Sequence, residues 1–192
     1  MLRLVTHVDS RCNISTMIAI ALLRGLIRRE VRTEQQINQI IQRCKRQLDY
    51  FVKNIPDAGQ NKEAYYTVSS SDELSRLLTA ESMDDLQLDR SEDRGDVWKC
   101  LGAGIFCLRY AMARLERVSG QEREDLRKTL FADTINNLVL RGGAAQANAA
   151  FAGALLGAYL GYDLVPEKWR KGLRDYTESE EDKEADASKE ME

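Results

Sequence analysis

The 192-residue sequence predicts an all-α domain followed by an acidic tail. Three observations indicate this class. The chain has only two prolines, its apolar residues recur at helical spacing over several long segments, and the alternation typical of strands is scarce. The length suits one soluble domain with a hydrophobic core. We expect this domain at residues 1–176 and a disordered tail at residues 177–192.

The first two helices are predicted from capping residues followed by apolar faces. Residues 10–13 can cap the first helix, in which the apolar side chains from Ile14 to Leu26 share one face. Thr33 and Gln36 have the spacing of a capping box, so a second helix is expected to begin there. Its apolar stripe continues at helical period to Val52.

The middle of the chain is predicted to be irregular except for one short helix. Residues 54–68 are typical of a loop, because they contain a proline, a glycine and mostly polar side chains. Ser70 and Glu73 have capping spacing and are expected to start a shorter helix. The polar, acidic residues 81–95 predict a linker.

Three helices complete the predicted domain. One begins near Asp96, a second covers residues 121–140, and a third follows the Gly142-Gly143 pair that ends the second. In the third, glycines recur every four positions and form a bare stripe on which another backbone can approach closely. These glycines are Gly153, Gly157 and Gly161.

The third of these helices is also uncharged enough to raise the question of a membrane span. No charged residue lies between Arg141 and Asp163, and about twenty apolar residues cross a bilayer. Alanine and glycine contribute little insertion energy, however, and Gln146 and Asn148 would need partners in lipid. A buried helix in a soluble bundle is therefore favoured, with no membrane partner.

The charge distribution of the chain indicates no nucleic-acid partner, and its cysteines indicate a reducing compartment. The tail carries eight acidic and two basic residues, so its net charge is −6. Because the formal net charge of the whole chain is −3, the domain before the tail has a net charge of about +3. The basic residues are scattered rather than gathered with aromatics, so no nucleic-acid partner is expected. The four cysteines form no C-x-x-C pair and favour small buried thiols in a reducing compartment, hence a cytoplasmic or nuclear location.

The glycine stripe also lies in a recognisable frame. Residues 142–161 read GGAAQANAAFAGALLGAYLG and residues 162–169 read YDLVPEKW. This resembles the last signature of the ADP-ribosylglycohydrolase family, approximately G-G-D-x-D-T-x-A-x-x-x-G-A-x-x-G-A-x-x-G followed by I/V-P-x-x-W. Residues 4–12, LVTHVDSRC, and residues 23–25, LRG, are similar to the family's opening segment and first helix. Residues 95–104 look like the helix before the final signature, so the resemblance covers most of residues 3–175.

The resemblance implies a fold and an activity, but this chain departs from it at the metal site. Family members are longer, and their N-terminal half carries further magnesium ligands, so the resemblance implies an orthogonal helical bundle truncated at its N-terminus. The family hydrolyses ADP-ribosyl glycosidic linkages with two Mg²⁺ ions. Where the family has Asp, Asp and Thr, this chain has Ala144, Gln146 and Ala147. We therefore expect no catalytic residue, no metal ligand and no cofactor here.

Two residues remain candidates for ligand binding under this resemblance. His7 matches a family histidine near bound ADP-ribose, and Asn148 matches the position beside the metal-binding threonine. The alternative for His7 is an ordinary loop or N-cap histidine. The alternative for Asn148 is a hydrogen bond that satisfies a buried backbone group. Asp133 and the Asp84-Asp85 pair are expected on the surface. Tyr162 and Trp169 are expected to close the core beneath the stripe.

Three hypotheses on function follow. The first is an ADP-ribosylglycohydrolase-like protein that is inactive as a hydrolase. The second is a module that binds ADP-ribose or a related nucleotide without turnover. The third is a structural or assembly role, in which uncovered apolar faces favour self-association or a complementary chain.

Overall fold

The computed structural model describes residues 9–54, 68 and 70–172. Within these residues the chain is a bundle of α-helices with short 3₁₀ turns and no strand, so the predicted all-α class is confirmed. The 3₁₀ turns are Asp84–Leu86, Ser91–Asp93 and Tyr162–Leu164. The helices are α1 Ser10–Ile27, α2 Glu34–Asn54, α3 Asp72–Leu78, α4 Val97–Glu116, α5 Gly120–Val139, α6 Ala145–Leu160 and α7 Glu167–Lys171.

Helix α4 lies at the centre of the bundle and contacts α1, α3, α5 and α6. Its small residues make this possible. A Cβ atom at Gly102 would lie 2.9 Å from the Leu77 carbonyl oxygen of α3, and one at Gly104 would lie 2.3 Å from the Phe151 ring of α6. The core around α4 is made of buried apolar side chains from α1 to α6, including Ile14, Ile18, Leu22, Ile37, Leu74, Leu77, Ile105, Leu108, Met112, Leu130, Leu138, Leu155 and Leu156.

The glycine stripe of α6 does not bring two backbones together. A Cβ atom at Gly153 or Gly157 would lie 3.8 or 3.9 Å from the Phe131 ring, which is ordinary van der Waals contact. The aromatic side chain of α5 fills the space that the stripe leaves, so the prediction of close backbone approach there is wrong. Close approach of another backbone instead occurs at Gly102 of α4, beside the Leu77 carbonyl group.

Two predicted helix starts are confirmed by their hydrogen bonds. The Gln36 amide N–H donates to Thr33 Oγ1 at 3.4 Å, and the Thr33 N–H donates to Gln36 Oε1 at 3.1 Å, which is the reciprocal capping box. Asp96 Oδ1 accepts hydrogen bonds from the backbone N–H groups of Trp98 at 2.7 Å and Lys99 at 3.3 Å. Helix α4 therefore begins where the sequence predicts.

Two other caps lie one residue from their predicted places. Asp9 caps α1 by accepting a hydrogen bond from the Arg11 N–H at 2.8 Å, so Ser10 is the first helical residue and not the cap. Ser71, not Ser70, caps α3 through the Leu74 N–H at 3.3 Å. In each pair of adjacent polar residues, the cap is the one with extended backbone angles.

The segment 81–95 is more than a solvated linker. Leu86 and Leu88 are buried in the core, and the ammonium group of Lys99 donates a hydrogen bond to the Gln87 carbonyl. The two leucines anchor the segment against the bundle, so the linker prediction is wrong for them. The Asp84-Asp85 pair and Asp133 are exposed, as expected.

One helix of the described part is long and apolar enough to cross a membrane by length and composition, and it is α1. In this fold its buried face, with Ile14, Ile18 and Leu22, packs on α2, α4 and α6. The helix for which the sequence raised the question, α6, is shorter and lies in the bundle with Leu155 and Leu156 fully buried.

The cysteines of the chain are free thiols. Cys44 and Cys107 are buried, as predicted, whereas Cys12 and Cys100 are only half-buried because they lie near the starts of α1 and α4. The predicted acidic tail and most of the predicted loop at 54–68 lie outside the described residues.

Candidate functional site

The N-termini of α1, α4 and α6 meet at one end of the bundle, which we call the helix-start site. Arg11, in the first turn of α1, forms an ion pair with Asp96, the N-cap of α4. The Cys100 thiol, one turn into α4, lies 3.5 Å from the carbonyl oxygen of Ala147 in the first turn of α6. These contacts place the first turns of the three helices next to one another.

Arg11 and Asp96 are the most tightly held charged pair of this site. One oxygen of Asp96 caps α4 while the other binds the guanidinium group, which also lies 4.5 Å above the centre of the Trp98 ring. Burial lowers the pKa of Arg11, but its hydrogen bond and attraction to Asp96 outweigh this, and the pKa is raised above its ordinary value. The pair therefore stays ionised and ties α1 to α4.

The turn between α5 and α6 fixes the start of α6. Gly142 and Gly143 have φ angles of +74° and +66°, and a Cβ atom at Gly143 would lie 1.9 Å from the Leu88 carbonyl oxygen. The preceding Arg141 forms an ion pair with Asp84. The turn thus holds the segment around Leu88 against the first turn of α6.

The first turn of α6 presents no carboxylate. Ala144 is the N-cap and makes no side-chain capping bond, and Gln146 and Ala147 are exposed. Magnesium is held in proteins by oxygen ligands, and a pair of magnesium ions needs several carboxylates to offset its charge. Two methyl groups and one neutral amide do not fit the two Mg²⁺ ions that the resemblance implies at these positions.

Asn148 lies at the same end, one turn into α6. It is 3% exposed, and its backbone N–H donates to the Ala144 carbonyl at 3.0 Å. Its side-chain amide has no hydrogen-bond partner in the part of the chain that the structure describes. The amide atoms are not fully buried, so they can still donate and accept hydrogen bonds at the surface of the helix-start site.

His7, the other candidate, lies outside the described residues. The structure therefore does not show whether His7 and Asn148 are brought together. Asp9, two residues later, is the first residue described, and it caps α1 at the helix-start site.

A shallow apolar cleft of about 210 Å³ opens between α1, α4 and α6 beside these first turns. The hydroxyl groups of Ser15 and Thr16 line it but donate to carbonyl oxygens of their own helix at 2.8 and 2.7 Å. Burial raises the pKa of the Cys100 thiol, so it is protonated at neutral pH and is not an activated nucleophile. Among the described residues that line it, the cleft offers apolar contact and no acid, base or activated nucleophile.

The two aromatic residues after the glycine stripe have different environments. Trp169 packs edge-on against Phe131 with ring centres 6.0 Å apart, but it is 37% exposed and covers the core beside the stripe only in part. Tyr162 is 58% exposed and lies under the Arg170 guanidinium at 5.0 Å, so the prediction that it closes the core is wrong. The short Tyr162–Leu164 turn carries its ring out of the bundle.

The contact of Arg11 with Asp96 and Trp98 was not predicted from the sequence. Asp96 was expected only as a helix start, and Arg11 only as part of the opening segment. The two residues are 85 positions apart, and a local pattern contains no information on such a pairing. Their common position in first turns, with opposite charges, is the one signal that could have suggested it.

The comparison with protein families agrees with the all-α fold. The family model described as ADP-ribosylglycohydrolase matches residues 2–191. No curated protein and no solved structure matches the chain. The family match covers nearly the whole sequence, including all three first turns of the helix-start site and the glycine turn before α6. The chain therefore belongs to the ADP-ribosylglycohydrolase family.

Proposed function

We propose that this ADP-ribosylglycohydrolase-like protein, although it belongs to a hydrolase family, is catalytically inactive on its own. The observation that carries the proposal is the first turn of α6, where Ala144, Gln146 and Ala147 stand at the positions of the family's Asp, Asp and Thr. None of these side chains supplies a carboxylate, and family hydrolysis depends on magnesium held by such groups.

Three carboxylates near this turn are already engaged, which supports the proposal. Asp9 caps α1, and Asp96 both caps α4 and binds Arg11. Asp84 is bound by Arg141 and has a side chain that is 79% exposed. Moving one of them to a metal ion would break a helix cap or an ion pair.

The test is an assay of ADP-ribose release from a panel of ADP-ribosyl conjugates with different acceptors. We expect no release above the uncatalysed rate with millimolar Mg²⁺, while an active family hydrolase in the same buffer releases ADP-ribose. Release by the purified chain that stops when magnesium is chelated would contradict the proposal.

A variant of the α6 turn tests the chemical reason. The triple change Ala144→Asp, Gln146→Asp and Ala147→Thr introduces two carboxylates and a hydroxyl group. We expect it to bind Mg²⁺ more tightly than the unchanged chain in a calorimetric titration, because hard oxygen ligands are then present. Equal magnesium affinity of the two proteins would show that these positions are not what limits metal binding.

The second candidate function is recognition of ADP-ribose, or a related nucleotide, without turnover. The Asn148 side chain favours it, since its amide makes no hydrogen bond to another described residue, keeps some exposure to solvent and lies where the three helices start. A ribose hydroxyl or phosphate oxygen could supply the missing hydrogen bond.

A thermal melt with and without millimolar ADP-ribose, each with and without Mg²⁺, tests this second function. A ligand present at a hundredfold excess over Kd stabilises the folded state by about 2.7 kcal/mol, so binding raises Tm. Asn148→Ala and His7→Ala should reduce the shift, whereas the exposed Asn137→Ala in α5 should not. A cooperative melt that ADP-ribose leaves unchanged would rule the second function out.

A further inference from the structure

A second cleft, of about 700 Å³, lies away from the helix-start site. It is bounded by the beginning of α2, the residues just after α3 and the C-terminal half of α4. Each helical residue advances about 1.5 Å, so the middle of this cleft near Ala113 is roughly 20 Å along α4 from Trp98. The volume is typical of sites that hold small molecules.

One wall of this cleft, which we call the arginine cleft, is aromatic. The rings of Phe106 and Tyr110 lie side by side with centres 6.2 Å apart and planes inclined by 21°. Arg114 lies 5.7 Å from the centre of the Tyr110 ring and donates a hydrogen bond to the Tyr110 hydroxyl oxygen at 2.8 Å. A ring and a cation are therefore presented together on one surface.

The base of the arginine cleft is a buried charge. The Arg109 side chain is 13% exposed, and its guanidinium group lies 2.5 Å from Asn38 Oδ1 and 3.4 Å from the Glu34 carboxylate. Its Nε has no acceptor among the described residues. Glu34 thus neutralises Arg109 and is not free to neutralise the other arginines of the cleft.

Two further guanidinium groups at the rim have no carboxylate partner in the described chain. Arg114 lies in the last turn of α4 and Arg117 is the C-cap of that helix, three residues later, so they can face the same ligand group. Glu81 is the other acidic residue of the lining. Two unpaired arginines against one glutamate leave the rim positive, which favours an anionic ligand.

We propose that the arginine cleft binds a small phosphomonoester that carries an aromatic ring. The ring packs on the wall formed by Phe106 and Tyr110, where offset stacking is favourable. The phosphate lies between Arg114 and Arg117, because guanidinium groups bind phosphate oxygens through paired hydrogen bonds. The Tyr110 hydroxyl group, already held by Arg114, completes the set of donors.

The proposal is tested by titrating the purified chain with phenyl phosphate and, separately, with adenosine 5′-monophosphate, followed by two-dimensional amide NMR. We expect saturable binding of at least one of them, with a Kd at least fivefold below that of inorganic phosphate. Binding of the nucleotide alone would identify the class as nucleotides, and comparable binding of both would identify any aryl phosphate. Failure of both to bind would overturn the proposal.

Matched variants locate the binding. Arg114→Ala and Arg117→Ala should each raise Kd at least fivefold, whereas Arg46→Ala, an exposed arginine on α2 outside the cleft, should leave it unchanged. Tyr110→Phe keeps the ring and should raise Kd by a smaller factor. Because Arg114 and Arg117 are exposed, their replacement leaves the core intact, which a thermal melt of each variant verifies.

Two results would overturn the assignment. Inorganic phosphate that binds as tightly as either ring-bearing phosphate would show that the cleft recognises charge alone. Nucleotide binding lost in Asn148→Ala but kept in Arg114→Ala would place the ligand at the helix-start site. The inference does not rest on the proposed function, because no residue of the arginine cleft belongs to that site.

Discussion

Gly142 and Gly143 lie side by side in the turn before α6, yet only one of them is packed against other atoms. Both have a left-handed backbone, with φ of +74° and +66°. A Cβ atom at Gly143 would meet the Leu88 carbonyl oxygen at 1.9 Å, whereas one at Gly142 would meet nothing within 4 Å. An alanine at Gly142 therefore meets only an unfavourable backbone conformation, whereas an alanine at Gly143 meets that conformation and a steric clash.

This difference leads to a prediction for two matched substitutions. Gly142→Ala should lower the free energy of unfolding by about 1 kcal/mol, the cost of placing a non-glycine residue in the left-handed region. Gly143→Ala should lower it by about 3 kcal/mol, because the Leu88 segment must also move. Urea denaturation of both variants measures the difference, and equal losses would contradict the packing of this turn.

At the scale of the helices, glycines have opposite roles in α4 and α6. In α4, Gly104 leaves room for the Phe151 ring, which a Cβ atom would approach to 2.3 Å. In α6, Gly153 and Gly157 leave 3.8 and 3.9 Å to the Phe131 ring, enough for a methyl group. The regular glycine spacing predicted close packing in α6, but the packing requires the glycines of α4, since a Cβ atom at Gly102 would also lie 2.9 Å from the Leu77 carbonyl oxygen.

The second prediction compares these helices directly. Gly153→Ala and Gly157→Ala should each raise the free energy of unfolding by about 0.5 to 1 kcal/mol, since alanine favours the helix and the added methyl group fits. Gly104→Ala should lower it by about 1 to 3 kcal/mol, because overpacking against Phe151 outweighs the same gain in helix propensity. Thermal and urea unfolding provide the measurement. Destabilisation by the α6 substitutions would instead support a close approach along the stripe.

At the scale of the whole molecule, the short α7 was not predicted and α6 was predicted from its small residues, whereas α1 to α5 were predicted well because each one carries its own apolar period. Helix α5, for example, begins and ends one residue before the predicted range of 121–140. The segment 81–95 was predicted less well, because its polar composition hid Leu86 and Leu88. Long-range contacts such as Arg11 with Asp96 were not predicted, since helical period determines which face is buried but not which helix covers it.

The candidate site, like the fold, was predicted from the sequence only in part. Residue type alone was sufficient to predict that the side chains of Ala144 and Ala147 supply no metal ligand. The burial of Asn148 depends on how α6 packs, and a sequence does not give this. The ligand-binding role of His7, the acidic tail at 177–192, self-association and a cytoplasmic or nuclear location stay predictions.

The last prediction concerns the stability of the whole fold at alkaline pH. Burial in the core raises the pKa of the Cys107 thiol from its ordinary value of 9.0 to about 12. The unfolded chain therefore releases this proton at lower pH than the folded chain does. The stability linked to the thiol is fully present below pH 9 and is lost as the pH rises from 9 towards 12.

Cys107→Ala isolates this effect, because the variant has no proton to release at this position. Below pH 8 the wild-type chain should be more stable than the variant by a constant amount, on the order of 1 to 2 kcal/mol from the lost core contacts. Between pH 9 and 10 the difference should shrink by up to about 1 kcal/mol, since a full pH unit of differential protonation corresponds to about 1.4 kcal/mol. Urea unfolding at a series of pH values gives both curves. Parallel curves up to pH 10 would mean that the Cys107 thiol ionises as readily in the folded chain as in the unfolded one.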